Sequence, residues 1–141
     1  MMPEFTLDQR LAQDCHMLGE SDISILLLSK NADYPWFILV PKTAQTELFL
    51  LGHALQLGLL AQINTISEMV NTHYQPTKLN VAAIGNVVQQ MHIHIVARFQ
   101  DDPTWPGVVW GAPAQSSYSS AEVTQIKQQV QNALAETFRL A

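Results

Sequence analysis

The chain has one cysteine, Cys15, in 141 residues. That excludes an internal disulfide and any multi-cysteine zinc site. Charge is scarce as well: Asp, Glu, Lys and Arg make up 13% of the sequence against a usual share of about 25%. Cations are the scarcer sign, with seven Lys+Arg facing twelve Asp+Glu and a formal net charge of −5. So few cations do not build the basic surface that a nucleic-acid polymer requires, and no such partner is expected. A small anionic ligand remains open, because backbone N–H groups and one or two cations suffice to hold it. The one long apolar stretch, Leu48 to Ile63, is interrupted by His53, Gln56 and Gln62 and is too short to span a bilayer. Met1-Met2-Pro3-Glu4-Phe5 lacks the basic and apolar regions of a signal peptide. These absences predict a soluble, reduced, cytoplasmic protein with no membrane partner.

Hydrophobic residues, by contrast, reach 48%. No composition shift or repeat divides the chain, so a single domain over residues 1–141 is expected, large enough to bury about two-thirds of its unfolded surface. Much apolar and little charged surface favours self-association, and a homodimer is expected.

Thr6-Leu7-Asp8-Gln9 has capping-box spacing, and Leu7, Leu11, Cys15 and Leu18 follow at helical intervals, predicting a helix that stops at Gly19. Ile23 to Leu28 and Trp36 to Val40 read as strands around the turn Asn31-Ala32-Asp33-Tyr34-Pro35. Glu47 to about Thr72 carries Leu48, Leu51, Leu55, Leu59, Ile63, Ile66 and Val70 on one helical face. Asn80 to Ile84 and His92 to Phe99 read as two more strands, with a turn at Gly85-Asn86 between them. Ser119-Ser120-Ala121-Glu122 caps a last helix through Val123, Ile126, Val130 and Leu134. Connections this short favour antiparallel pairing. The expected class is α+β: an antiparallel sheet with the long helix packed on one face and a C-terminal helix.

The chemistry concentrates in Gln90-Met91-His92-Ile93-His94-Ile95-Val96. Side chains alternate along a strand, so Gln90, His92 and His94 share one face while Met91, Ile93 and Ile95 take the other. Two imidazoles about 7 Å apart along the strand offer a nucleophile or base beside a donor. Decoration of a half-exposed strand is the plain alternative. A metal pair is disfavoured, because no third ligand falls near: His16, His53 and His73 lie in other elements, and no metal or other cofactor is expected. Gly85-Asn86 can bring backbone N–H groups to a phosphate, or simply make a turn. Asn31 and Asp33 are first of all turn formers.

His92-Ile93-His94-Ile95-Val96, preceded by Gly85-Asn86-Val87-Val88 and by Asn80-Val81-Ala82, resembles the histidine triad (HIT) family of nucleotide hydrolases and transferases. The stretch from Asn31 through Tyr34-Pro35-Trp36-Phe37-Ile38-Leu39-Val40-Pro41-Lys42 is similar to the family's other marker, and the likeness spans roughly Asp22 to Arg98. The resemblance implies a sheet carrying the histidines, usually a symmetric dimer, and cleavage at the α-phosphate of a nucleotide or nucleotide conjugate. It implies His92 as the nucleophile and His94 as the residue that hydrogen-bonds the phosphate. The first histidine of the pattern falls on Gln90, which supplies a carbonyl to orient His92 but carries no titratable proton, and so limits the rate for poor leaving groups. Asn31, Asn80, Gly85 and Asn86 are the implied substrate-binding positions, and Arg98, which with Phe99 has no counterpart in the family motif, is expected to bind substrate beside them. The sequence departs from the pattern again at Val87, where a hydroxyl is usual, and at Thr43-Ala44, where a histidine often follows Pro-Lys. The segment Trp105-Pro106-Gly107-Val108-Val109-Trp110 has no counterpart in the motif and is expected to close over the site or to join the terminal helix at a dimer seam. Two other functions stand beside the enzyme: a nucleotide-binding protein of the same fold with little turnover, and a dimeric interaction module.

Overall fold

The computed structural model describes residues 4–141. Two uncharged runs form the middle of its sheet, β2 (Ser24–Ser29) and β3 (Trp36–Pro41). Neither alternates polar with apolar residues, because both faces of these strands are covered. Around them lie β1 (Cys15–Glu20), β4 (Lys78–Ala83), β5 (Ile93–Arg98) and the two-residue β6 (Arg139–Leu140). The order is β4-β5-β3-β2-β1-β6, with every pairing antiparallel. Three helices complete the α+β arrangement: α1 (Gln9–Asp14), α2 (His53–Tyr74) and α3 (Ser120–Leu134).

One face of the sheet carries Leu26, Leu28, Phe37, Leu39, Ile93 and Ile95 against Leu59, Ile66 and Val70 of α2 and Ile126, Val130 and Leu134 of α3. On the other face Ile25, Leu27, Ile38 and Val40 meet Leu11 of α1, Cys15, and the half-buried Phe5 and Leu7 ahead of that helix. His94 pairs with Ile38 across β5 and β3, and directly opposed residues point the same way, so the imidazole lies on this second face. Among the described residues no helix is long and apolar enough to cross a membrane.

The first helix is shorter than its apolar spacing suggests. It ends at Asp14, and Cys15–Glu20 is a strand. Cys15 and Leu18 are buried on opposite faces of the sheet, which a single helical stripe does not allow, and pairing with β2 overrides the local pattern. Gly19 is therefore no helix stop. A Cβ there would lie 3.0 Å from the Arg139 carbonyl oxygen and 3.3 Å from Phe138 Cβ, so glycine admits the close approach of β6. The helix expected from Glu47 begins instead at His53, after a 3-10 turn at Leu48–Leu50, and runs to Tyr74. The capping box at the last helix is present: the Ser119 hydroxyl accepts from the Glu122 amide, and the Glu122 carboxylate accepts from the Ser119 amide.

Arg98, the last residue of β5, is 2% exposed. Its guanidinium donates to both carboxylate oxygens of Asp102 (2.8 and 3.1 Å), to Asn80 Oδ1 (2.8 Å), to Thr104 Oγ1 (3.2 Å) and to the Gly107 carbonyl (2.7 Å). It also sits 5.5 and 5.7 Å from the ring centres of Tyr34 and Trp105. The loop 99–107 is thereby fastened to the sheet. Arg98→Ala is expected to cost about 3–5 kcal/mol, because it strands the buried Asp102 carboxylate, and Arg98→Lys to recover part of that at most. Urea unfolding checks this, and a loss below about 1 kcal/mol would contradict it.

Candidate active site

The second face opens into a cavity of about 610 Å³ whose lining includes both imidazoles. The rings are 4.9 Å apart, centre to centre, and His92 and His94 are 7% and 6% exposed. Each has one nitrogen committed. His92 Nδ1 lies 2.7 Å from the Gln90 carbonyl. A carbonyl only accepts, so Nδ1 holds the proton and the neutral ring keeps a lone pair on Nε2. His94 Nδ1 lies 2.9 Å from Trp36 Nε1. An indole N–H only donates, so His94 accepts there and holds its own proton on Nε2. The two histidines, one just before β5 and one within it, are thus set as opposites, one ring presenting a lone pair and the other an N–H.

Burial, and secondarily the nearby His92, push the His94 pKa down to about 4. Cys15 borders the same cavity, but burial and Asp14 raise its thiol to about 12 against a smaller opposing pull from Lys30. It stays protonated and is a poor nucleophile.

The expected binding positions divide. Gly85, Asn86 and Asn31 line the cavity. Gly85 adopts φ +67°, a backbone conformation suited to glycine, at the turn leaving β4. Asn31 Oδ1 accepts from the Asp33 amide at 2.9 Å, the turn role read from the sequence. The structure does not bring Arg98 and Asn80 to the cavity. They bond to each other beneath the loop 99–107, and Arg98 has its donors occupied by the fold. Val109 is 1% exposed, and Trp110 packs edge-on to His94 with ring centres 5.2 Å apart. Val109 and Trp110 therefore wall the site, while Pro106, Gly107 and Val108 beside them stay exposed. A larger groove of about 730 Å³ between α2 and α3 is lined mainly by amide and apolar side chains and holds no such paired groups. Among the described residues no three of His, Cys, Asp and Glu converge as ligands for a metal.

Sequence reasoning missed Trp36 and Arg10, which line the cavity together with Trp110 of the segment expected to close over the site. Trp36 precedes Ile38 by two positions and so shares its face, but only the β3–β5 register puts that face beside His94. The side chain of Gln90 also turns elsewhere than expected, donating to the Thr6 carbonyl (2.9 Å) and accepting from the Asp8 amide (2.7 Å).

A model of the HIT domain matches residues 10–101 of the chain. Solved structures of histidine triad proteins from Bradyrhizobium japonicum and Marinobacter aquaeolei VT8 are 33% and 38% identical to it, each with a TM-score of 0.89 and 94% of this chain covered. The matches extend over 99% and 98% of those two proteins. A hypothetical histidine triad nucleotide-binding protein from Sulfolobus tokodaii has the same fold at 12% identity, with a TM-score of 0.65 over 86% of this chain and 85% of that one. No curated protein matches the chain.

The depressed His94 pKa has a consequence for stability. Between pH 6.5 and about 4 the unfolded chain binds a proton at this residue that the folded chain does not, so stability is full above pH 6.5 and falls as the pH drops toward 4. The contribution is about 3 kcal/mol at most. His16, also lowered by burial, acts in the same direction. His94→Gln is expected to flatten the pH dependence of urea unfolding in that window. Parallel curves for the two proteins would contradict the assignment.

Proposed function

The chain belongs to the histidine triad family, and from that premise we propose that it is a nucleotide hydrolase or nucleotidyl transferase acting at an α-phosphate through His92. The observation that carries this reading is the bond from His92 Nδ1 to the Gln90 carbonyl, which leaves the Nε2 lone pair free on a ring that lines the cavity. In the first step Nε2 attacks the α-phosphorus, and the P–O or P–N bond to the leaving group breaks with its electron pair going to that group. In the second step water, or another acceptor, displaces the imidazole and releases a nucleoside monophosphate or its transferred ester. His94 Nε2–H donates to a non-bridging phosphate oxygen and stabilises the charge that builds there. The glycine turn at Gly85-Asn86 and the side chain of Asn31 border the same space and are assigned to the substrate. His92 also borders an adjoining hollow of about 630 Å³, so there is room on two sides of the phosphorus for entering and leaving groups. Gln90 offers no proton, and leaving groups that depart as stable anions are favoured.

Incubation with a panel of adenylated and guanylated compounds followed by mass spectrometry tests the reading. One nucleoside monophosphate should be found on His92, and His92→Asn should abolish both adduct and turnover while unfolding at an unchanged urea midpoint. A second reading, nucleotide binding with little turnover, is supported by Val87, a 75% exposed apolar residue where the family usually has a hydroxyl. Binding by calorimetry without adduct or turnover would select it.

Two copies are proposed to associate, with the open edge of the sheet and the apolar side of α2 as the contact surface. Strand β4 is an edge strand with Val81 47% exposed, and Leu57 and Leu60 of α2 and Phe49 before it are 56%, 54% and 78% exposed. The double change Leu57→Glu and Leu60→Glu is expected to yield the monomer mass by light scattering where the wild type gives a dimer. A wild-type monomer at micromolar concentration would overturn the dimer, and an unchanged dimer in the variant would overturn this surface.

A further inference from the structure

Gln90 does two separate jobs. Its backbone carbonyl serves His92, while its side-chain amide faces the chain segment 6–8, accepting from the Asp8 N–H at 2.7 Å and donating to the Thr6 carbonyl at 2.9 Å. That segment lies outside every strand. The glutamine amide, with donor and acceptor side by side on one carbon, supplies both hydrogen bonds that a neighbouring strand would give. An imidazole at position 90 has nitrogens that point apart and does not satisfy both groups. The link continues: the Asp8 carboxylate accepts from the Arg10 amide at 2.8 Å and starts α1, whose residues Arg10 and Asp14 line the cavity that holds His92 and His94.

Arg10 is the one Lys or Arg among the described residues lining that cavity. It makes no ion pair with any described residue, Asp14 on the following turn included. A guanidinium without a counter-charge, at a cavity with a neutral N–H donor and a glycine turn, meets what a phosphate or pyrophosphate group requires. We propose that Gln90 is a positioning residue that pins segment 6–8, and that Arg10, held in place by that pin, contacts phosphate oxygens of the ligand. The inference deepens the nucleotide reading above and rests on it for the ligand class. It also gives the glutamine in place of the family's first histidine a physical reason: the position has exchanged a titratable ring for an arm clamp.

Two measurements on the full chain test it. In hydrogen exchange, Gln90→Leu should speed the Asp8 amide at least about tenfold while the amides of β5 stay unchanged, since the bond removed is the one that protects it. An unchanged Asp8 amide would overturn the pin. Calorimetry then compares binding of AMP and of inorganic pyrophosphate to the wild type, Arg10→Gln, Gln90→Leu and the double variant. Each single change should weaken binding about five- to tenfold, and the double change no more than the stronger single one, because Gln90 acts through Arg10. Multiplying losses would show that Gln90 acts by general destabilisation and overturn the coupling. If AMP binds the wild type and Arg10→Gln equally, this inference fails and the nucleotide reading stands. Pyrophosphate bound in the coupled pattern without AMP binding would sustain Arg10 and sink the nucleotide. Neither ligand binding would overturn both.

Discussion

Two imidazoles with ring centres 4.9 Å apart, each less than one-tenth exposed, cannot both carry a proton charge at ordinary cost. Much of the site follows from how the fold makes them different. A backbone oxygen fixes one tautomer and an indole N–H fixes the other, so the asymmetry between nucleophile and donor is present before any ligand arrives. Neither a backbone carbonyl nor an indole N–H gains or loses a proton in the ordinary range, so the two groups that set the tautomers do not themselves change with pH. Trp36 reaches His94 because β3 runs beside β5 in the register that opposes Ile38 and His94.

The far end of the same strand shows how a polar residue can be legible and still misassigned. Arg98 lies on the histidine face four residues after His94, and from sequence alone it is expected to be a substrate-binding position. The structure gives it Asp102, Asn80, Thr104 and the Gly107 carbonyl instead. Asp33 makes a similar contribution further along, accepting from the Gln115 amide and the Ser116 hydroxyl at 2.8 and 2.6 Å. Between them these anchors bracket the stretch that carries Val109 and Trp110 against the imidazoles.

Period-two alternation located the histidine face, and the capping box located the start of α3, because both signals depend only on neighbours in the chain. The first strand was hidden for the opposite reason. Leu7, Leu11, Cys15 and Leu18 fit a helix locally, and only the pairing with β2 decides against it. The two-residue β6 has no periodicity to read, and Gly19, which admits it, has the same letter as a helix stop. Within the site the histidines, the glycine turn and the segment ending at Trp110 were visible, whereas Trp36 and Arg10 enter from two separate elements that only the tertiary fold assembles.

The two margins of the sheet are unequal. On one side β6 offers two residues of backbone, twisted close over Gly19, too short a template for a further strand to build on. On the other side β4 presents six residues with no strand beyond them among the described residues. A sheet with a single usable margin can add one neighbour and no more. Pairing through backbone hydrogen bonds closes on itself at two copies, and the open-ended stacking that threatens aliphatic-rich sheets has no second face from which to continue.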